Sequence, residues 1–425
     1  MWDSPVDDAC PGSPPRVLLY RMYDVDVIVV GAGAVGLMLA NLLGREGLSV
    51  ILLEKRSERG SMPRAVGVSP PSLEIFQKAG LVEALVERGR RVSRVVVSGP
   101  KRGLGTLSFA GVASDYPFVL TCPQDATERT LESGLARYPA VRYLPGRELR
   151  SAEQDAAGVT ARGVTASGEA FSYTARYLAG CDGARSALRE AVGIPFRERP
   201  YRHTFLMGDF DETTKLGDDV AIFFTPWGSV ESFPLPGGLR RYVLSTPSLI
   251  PEGTSDFLAT NIPRRAGIYL GNARMRWESA FATRVWVARR FGAGRIWLAG
   301  DAAHLMSPIV GQNMNAGFAD AECLAAAIRF CLREPDRAPA AFSAYERSRR
   351  RSATAAARRA ALMMRLGTAR GSVLSPARNA LVAAALHGPA KAVFEGIFSM
   401  TTLPNHRLGS GMFEGAKPSP RRLEP

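Results

Sequence analysis

The sequence predicts an α/β fold in which a parallel-sheet domain is interleaved with an antiparallel-sheet domain and followed by C-terminal helices. A strand, a glycine-rich turn, a helix and a second strand follow one another over residues 25–54. Two later apolar strands also end in an acid, at Asp182 and at Asp301. A region rich in short strands lies between these acids, from about 200 to 281. The 425 residues exceed what one ordinary core organises, so more than one domain is expected.

The clearest motif is the glycine-rich turn after the first strand. Residues 25–31 read VDVIVVG, a β-branched run typical of a strand buried on both faces, and the turn continues as GAGAVG. We expect Gly31 to allow the tight turn, Gly33 to let the backbone approach a pyrophosphate, and Gly36 to let the helix pack closely. Glu54, at the tip of the second strand, can bind a ribose diol and disfavours a 2′-phosphate. This stretch therefore predicts a Rossmann-like dinucleotide site.

Two further strand ends carry a related signal. Residues 176–183 read RYLAGCDG and precede a helix. Residues 295–301 read RIWLAGD and precede a loop and a helix from about Asn313 to Leu332. Ligands of open parallel sheets lie beyond the carboxyl ends of the strands. We therefore expect all three strand ends to face one extended ligand.

These motifs closely resemble the single-component (group A) FAD-dependent aromatic hydroxylases, the flavoprotein monooxygenases typified by para-hydroxybenzoate hydroxylase. The resemblance spans roughly residues 22–345 and rests on GAGAVG with Glu54, on CDGARS, and on GDAAH with the P, GQ, N, G and DA that follow it. It implies bound FAD, with NADH or NADPH as a transient co-substrate. It also implies that O2 adds to reduced flavin, and that the hydroperoxyflavin hydroxylates or epoxidises an electron-rich phenol, quinol, quinolone or polyketide, in secondary metabolism.

The resemblance implies which residues of the third motif contact FAD. Asp301 would accept a hydrogen bond from the ribityl chain. Pro308, Gly311 and Gln312 would lie along the isoalloxazine ring, and the helix from about Asn313 would direct its N-terminus at the flavin. The family usually has Gly-Gln-Gly-x-Asn where this chain has GQNMN, so Asn313 replaces a glycine. We expect Asn313 to keep the turn by adopting left-handed backbone angles, which Asn tolerates.

Other matches to the family are less specific. Arg64 corresponds to an arginine near the flavin and the mouth of the active site, and Gln124 to a glutamine that contacts FAD. Asp182 and Arg189 fall in a fingerprint that the family links to both FAD and NAD(P)H, although a structural role for Arg189 is equally open. His304 matches a family histidine without a catalytic role, so we expect it to be structural. No side chain is assigned the chemistry itself, which the flavin would carry, and no metal site is predicted.

The strand-rich region, together with RVSRVVVSGP near residue 95, predicts an antiparallel sheet over the flavin, where the family binds substrate. An ordinary sheet core is the simpler explanation for most of its apolar residues taken singly. No cluster of His, Asp or Glu stands out as a general base. The candidate walls of the substrate pocket are Phe205, Met207, Phe223, Phe224, Trp227 and Phe233.

The two domains are expected to alternate along the chain. After a disordered leader at 1–21, the FAD-binding domain is predicted in three parts, at 22–90, 120–196 and 281–345. The substrate domain is predicted in two parts, at 91–119 and 197–280. A C-terminal helical region and tail follow at 346–425, either capping the FAD-binding domain or facing lipid.

The basic charge of the chain bears on its partners. The formal net charge is +14, from 48 arginines and six lysines against 40 acids. No helix-turn-helix, zinc finger or aromatic-interleaved basic motif accompanies it, so we predict no nucleic-acid partner. The arginines of residues 347–370 fit a solvated helix face, with an acidic partner or an anionic membrane surface as the alternative. A lipid-facing C-terminal region would suit a small lipophilic aromatic substrate.

The compartment follows from what the sequence lacks. There is no apolar run long enough to cross a membrane, and the first 22 residues lack the apolar core of a secretory signal. The five cysteines are scattered without CxxC spacing, as is usual for free thiols in a reducing compartment. These features predict a cytoplasmic protein, with peripheral contact to the inner face of the membrane as the extension of that prediction.

Three other functions share parts of this pattern. A flavin-dependent halogenase needs a Gly-Trp-x-Trp-x-Ile-Pro signature, which the five tryptophans do not form. A flavin-dependent reductase of an isoprenoid lipid would turn over without oxygen. A non-enzymatic flavin-fold protein that contacts acidic partners would bind FAD but show no substrate-stimulated NAD(P)H oxidation.

Overall fold

The structure, a computed structural model, describes residues 23–60, 65–195, 199–250, 254–307 and 311–404. Its strands are β1 (Val25–Val30), β2 (Val50–Glu54), β3 (Gly67–Val68), β4 (Arg90–Val92), β5 (Arg94–Ser98), β6 (Gly103–Ser108), β7 (Val119–Thr121), β8 (Val141–Pro145), β9 (Arg147–Gln154), β10 (Val159–Thr165), β11 (Ala170–Gly180), β12 (Arg199–Asp211), β13 (Val220–Thr225), β14 (Gly228–Leu235), β15 (Leu239–Thr246), β16 (Met275–Val287), β17 (Gly292–Ala293), β18 (Ile296–Leu298) and β19 (His304–Leu305). Its α-helices are α1 (Ala34–Arg45), α2 (Pro70–Lys78), α3 (Val82–Val86), α4 (Gln124–Leu135), α5 (Ala187–Ala191), α6 (Thr254–Ala266), α7 (Gln312–Arg333), α8 (Ala338–Thr368), α9 (Leu374–His387) and α10 (Ala390–Phe398).

The first sheet carries the predicted dinucleotide motif. Its main path runs β17-β18-β11-β1-β2-β8, and β18, β11, β1, β2 and β8 are mutually parallel. The core of this sheet is continuous with α1 and α7, whose inner faces are rich in Ala, Leu and Gly. The carboxyl ends of β18, β11, β1 and β2 therefore lie side by side along one edge. The sequence-based prediction of a Rossmann-like parallel sheet is confirmed.

The second sheet is built from the strand-rich region and the hairpin near residue 95. Its order is β19-β16-β12-β15-β14-β13-β5-β6. The expected antiparallel sheet is confirmed, and its pairs are antiparallel apart from β13 and β5, which run parallel. Between β5 and β13 the chain forms several strands of the first sheet, and it returns to run parallel to β5. A smaller sheet, β3-β7-β4, lies beside these two.

Helices cover both faces of the second sheet. On one face, Leu258 and Ile262 of α6 pack against Leu206, Val230 and other side chains of the sheet. On the opposite face, Met363 and Met364 near the end of α8 pack on the sheet, followed by α9 and α10. Successive side chains of a strand point alternately to the α6 face and to the face covered by α8, α9 and α10.

Continuous elements cross four of the predicted domain boundaries. The boundaries after residues 90, 119 and 280 fall inside the strands β4, β7 and β16, and the boundary after residue 345 falls inside α8. Helix α8 thus starts against the first sheet and ends over the second. Among the described helices, none by itself combines the length and apolarity of a membrane span, although α9 and α10 together meet that test across a 96° bend.

Candidate functional site

The glycine-rich turn has the geometry that its sequence predicts. Gly31 has φ +97°, and a Cβ there would lie 2.4 Å from the carbonyl oxygen of Cys181. A Cβ on Gly36 would lie 1.9 Å from the carbonyl oxygen of Gly31, so helix and turn could not approach this closely with any other residue. At Gly33, by contrast, a Cβ would meet nothing within 4 Å. Gly33 is the N-cap residue of α1, and no side chain caps this end of the helix. The partial positive charge of the helix N-terminus is therefore not occupied by a side chain.

Glu54 lies directly beside this turn. Its Oε2 accepts a hydrogen bond from the backbone N–H of Ala32 at 2.8 Å. Its Oε1 accepts from the Nε of Arg56 at 2.8 Å. Burial alone would raise the pKa of Glu54, but these hydrogen bonds outweigh it and hold the pKa below its ordinary value. Glu54 is therefore a fixed anion at the tip of β2, suited to accept hydroxyl hydrogen bonds.

The end of β11 presents Asp182. Its Oδ2 accepts a hydrogen bond from the backbone N–H of Leu188 at 3.2 Å, while its Oδ1 is buried without a hydrogen-bond partner among the described residues. Burial raises the pKa of Asp182. Arg189 turns away from this edge, because it donates to the carbonyl oxygens of Ala184 and Ala302 and lies over the ring of Trp286. Those contacts favour the structural role for Arg189, since they tie β11 to the end of β18.

The end of β18 presents Asp301. Gly300 has φ +60°, and the Oδ1 of Asp301 accepts a hydrogen bond from the Nδ2 of Asn313 at 2.7 Å. Burial raises the pKa of Asp301, although the nearby His304 and the hydrogen bond from Asn313 lower it in part. Gly311, immediately before α7, is also left-handed, at φ 62° and ψ 28°.

The expected left-handed conformation of Asn313 is therefore wrong. Asn313 lies within the first turn of α7, and the only described non-glycine residue with positive φ is Met400. The helix begins at Gln312, directly after the left-handed Gly311, so Asn313 needs no unusual backbone angle. Its effect on the site is instead through its side chain, which holds the carboxylate of Asp301.

Two amide side chains in the first turn of α7, those of Gln312 and Asn315, differ in whether they have hydrogen-bond partners. Both amide atoms of Gln312 are buried without a partner in the described part of the chain. Asn315 accepts a hydrogen bond from the N–H of Ser69 and donates to the carbonyl oxygens of Gly67 and Gly311, which fixes the start of α7 against β3. Asn315 is the Asn of the family motif GQ-N, but its contacts to Ser69 and Gly67 could not be expected, because those residues lie 246 and 248 positions earlier in the chain.

A buried charged cluster lies behind Asp301. Asp320 on α7 accepts hydrogen bonds from the N–H of Gly300 at 3.0 Å and from the Nε of Arg349 at 2.7 Å. The Nε2 of His304 lies 2.7 Å from its Oδ2. Burial would raise the pKa of Asp320, but His304 and Arg349 hold it below its ordinary value. The cluster fixes the strand end that carries Asp301, and its sequence signal was Asp320 in the DA of the third motif.

The remaining flavin contacts expected from the family divide into two groups. Gln124 begins α4, where its Oε1 accepts a hydrogen bond from the N–H of Ala65 and its Nε2 donates to Glu128. Arg64 and Pro308 lie outside the described residues.

The six candidate pocket walls do not form one surface. Phe223 faces the α6 side of the second sheet, and Trp227 is 43% exposed in the turn between β13 and β14, with the guanidinium of Arg264 over its ring. The grouping of all six is therefore wrong, since adjacent residues of a strand point to opposite faces. Four share the face covered by α8, α9 and α10: Phe205, Met207, Phe224 and Phe233.

The residues at the four strand ends fit a flavin dinucleotide. The open N-terminus of α1 suits a pyrophosphate, and Glu54 and Asp301 supply acceptors for hydroxyl groups. The Oδ1 of Asp182 and the amide of Gln312 are buried polar atoms without described partners, which a bound ligand would satisfy.

Comparisons with known proteins agree with this geometry. The FAD binding domain family matches residues 24–360. Over 304 residues the chain is 35% identical to rifampicin monooxygenase of Streptomyces venezuelae, a match that covers 70% of this chain and 62% of the relative. Over 375 residues it is 29% identical to the 3-(3-hydroxy-phenyl)propionate/3-hydroxycinnamic acid hydroxylase of Mycolicibacterium smegmatis, covering 84% and 63%. The chain thus spans just over three fifths of the length of these curated relatives.

Solved structures share this fold over most of the chain. The p-nitrophenol 4-monooxygenase of Pseudomonas putida superposes with a TM-score of 0.81 at 23% identity, covering 90% of this chain and 98% of that one. CabE, an aromatic hydroxylase from angucycline biosynthesis, gives a TM-score of 0.71 at 28% identity, covering 89% and 76%. These matches lend no support to the halogenase and lipid-reductase alternatives. The chain belongs to the FAD binding domain family, that of the single-component flavoprotein monooxygenases, and FAD is its cofactor.

Proposed function

We propose that this chain is an FAD-dependent monooxygenase that uses NADH or NADPH and O2 to oxygenate an electron-rich aromatic small molecule. The observation that carries the proposal is the alignment of four parallel strand ends, each with a side chain or turn suited to one part of FAD, beside a second sheet with an apolar face. The names of the matched relatives, which are hydroxylases and monooxygenases of aromatic compounds, support the reaction class.

The proposed roles follow the strand order. The pyrophosphate lies at Gly33 and the start of α1, a ribose at Glu54, and the ribityl chain at Asp301, with Gln312 toward the ring. Bound FAD supplies the redox and oxygen chemistry, and the protein fixes the cofactor and keeps water from it. The buried Asp320 cluster supports this rigidity, because it holds the end of β18 and the start of α7 together.

The substrate is proposed to be a lipophilic aromatic compound, such as a phenol, quinol, quinolone or polyketide of secondary metabolism. The apolar face formed by Phe205, Met207, Phe224 and Phe233 supports this class. The protein is proposed to be cytoplasmic, with peripheral contact to an anionic membrane through its C-terminal helices. Exposed Val373, Leu374 and Leu381 around α9, near the arginines of α8, support that contact.

The reaction is tested by measuring NADH and NADPH oxidation by the FAD-loaded protein in the presence of a panel of phenols, quinols and prenylated quinolones. We expect at least one compound to accelerate NADH or NADPH oxidation in air and to gain one oxygen atom, which 18O2 labels. Turnover that continues without oxygen would indicate a reductase. FAD binding without stimulation by any compound would contradict the proposed function.

The cofactor site is tested by Asp301→Ala. We expect the variant to fold but to retain FAD more weakly, because the ribityl chain loses an acceptor held by Asn313. Asp336→Ala is the matched control, since Asp336 is an exposed acid outside this site. Equal dissociation constants for FAD in the wild type and Asp301→Ala, measured by flavin fluorescence, would refute the assignment.

A further inference from the structure

Glu231 is an acid on the apolar face of the second sheet. It lies on β14 after Val230, which packs with the α6 side. Since side chains alternate along a strand, Glu231 points to the opposite face, where α8, α9 and α10 lie. Its cross-strand neighbours are Ile222 on β13 and Val243 on β15. The alternation therefore puts Glu231 on the same face as the four aligned pocket candidates.

The groups around Glu231 are apolar. Ile222 and Phe233 belong to one cluster on this face, and Val243 belongs to a second cluster formed around Phe205. Phe394 and Phe398 of α10 contact both clusters. Helix α10 therefore lies over the part of this face that carries Glu231, and Glu231 as a whole residue is 8% exposed.

No described residue offers Glu231 a counter-charge. Most charged groups on the elements around this face are paired or bonded elsewhere, or point to solvent: Asp209 with Arg241, Arg378 with the carbonyl oxygens of Thr225 and Ala369, Glu395 with the N–H of Ser108 and near Lys391, and the exposed Arg365. Arg370, beside Gly228 at the start of β14, has a buried Nε and Nη2 without a described partner, but it does not contribute to the pKa of Glu231. The carboxylate of Glu231 has no hydrogen bond or ion pair within the described chain. Burial alone raises its pKa to about 7.

Helix α8 links this face to the strand-end site. Arg349 on α8 bonds Asp320 behind Asp301, and Met363 on the same helix packs against Phe205. The two positions are about 20 Å apart along a helix that rises 1.5 Å per residue. Helix α8 therefore connects the strand-end site to the face of the second sheet that carries Glu231.

An unpaired buried carboxylate is costly, and such groups are concentrated at functional sites. We propose that Glu231 accepts the hydroxyl proton of a phenolic substrate, an inference that rests on the proposed monooxygenase function. The phenol O–H bond breaks, its electron pair stays on the phenolate oxygen, and the proton forms an O–H bond with the carboxylate. The phenolate ring is then a better electron donor toward an electrophilic oxygen. Glu231 returns the proton to water between turnovers.

Binding is measured first, by the change in flavin absorbance of the FAD-loaded protein. The probes are 4-cyanophenol, 2-naphthol and 1-hydroxyanthraquinone, each beside its methyl ether. We expect the wild type to bind phenols more tightly than ethers, because only the phenols donate to Glu231. In Glu231→Leu the preference should disappear. Failure of every phenol to bind, or equal binding of phenols and ethers by the wild type, would overturn the inference.

Turnover is then measured against pH with the phenol that binds best. We expect oxygen-dependent NADPH oxidation by the wild type to rise through one ionisation near 7. Glu231→Gln should be about 100-fold slower at pH 7.5 and should lose that ionisation, with unchanged FAD affinity. Glu278→Gln, an exposed acid on β16 in the same sheet, is the matched control and should keep the wild-type profile.

The failure of this inference differs from failure of the proposed function. If Glu231→Gln keeps the wild-type rate and pH profile, the inference is wrong and the monooxygenase stands. If no aromatic compound stimulates oxygen-dependent NAD(P)H oxidation by the wild type, the proposed function itself fails.

Discussion

The substitution Glu231→Gln should stabilise the protein while it removes the proposed base. The pKa of Glu231 rises from 4.5 in an exposed chain to about 7 in the folded protein because of burial. The two pKa values of Glu231 differ by about 2.5, and each pKa unit is worth about 1.4 kcal/mol. The free energy of unfolding therefore changes by roughly 3 kcal/mol between the protonated and the ionised carboxyl group. The folded state binds the proton more tightly than the unfolded state. The wild type therefore loses this stability as the pH rises from about 4.5 to about 7, and glutamine has no charge to bury.

The assay is the free energy of unfolding of the FAD-loaded protein in urea, at pH 5 and pH 8. The gain in Glu231→Gln should approach 3 kcal/mol at pH 8 and fall to about 1 kcal/mol at pH 5. Glu278→Gln should show no such trend, because Glu278 is exposed. A gain that is equal at both pH values, or a loss at pH 8, would refute the view that Glu231 is an uncompensated buried carboxylate.

Three other substitutions test the residues that hold the cofactor site in shape. Asp320→Asn should cost about 3–5 kcal/mol of unfolding free energy, because it leaves buried cations without their partner, and a thermal midpoint close to the wild-type value would contradict this. Gly36→Ala should lower the thermal midpoint, because its Cβ would lie 1.9 Å from the Gly31 carbonyl oxygen, whereas Gly33→Ala should fold normally and bind FAD more weakly. Equal midpoints for the two alanine variants would show that the close approach at Gly36 is not limiting.

Much of the cofactor site could be predicted because its signals are local. The spacing of Gly31, Gly33 and Gly36 and the position of Glu54 follow from the geometry of a single βαβ unit. The expectation that Asp182 and Asp301 share an edge with that unit required only that their strands be parallel and in the same sheet, which β11 and β18 are.

The substrate side was predicted less well. Phe223 and Phe224 are the same residue type at adjacent positions, so the sequence alone does not distinguish them. The register between β13 and β14 decides that Phe223 faces α6 and that Phe224 faces α9. The conformation of Asn313 was also misjudged, because the start of α7 at Gln312 determines it rather than the preference of Asn.

The sequence by itself determined the parallel sheet, the glycine turn and the acids at the strand ends, because these depend on residues close together in the chain. Only the tertiary structure decided that Asp320 joins His304 and Arg349, and that no described residue supplies Glu231 with a counter-charge. The physical reason is that the free energy of a buried charge depends on which groups surround it. Those groups come from α7, α8, α10 and the second sheet, and only folding brings them together.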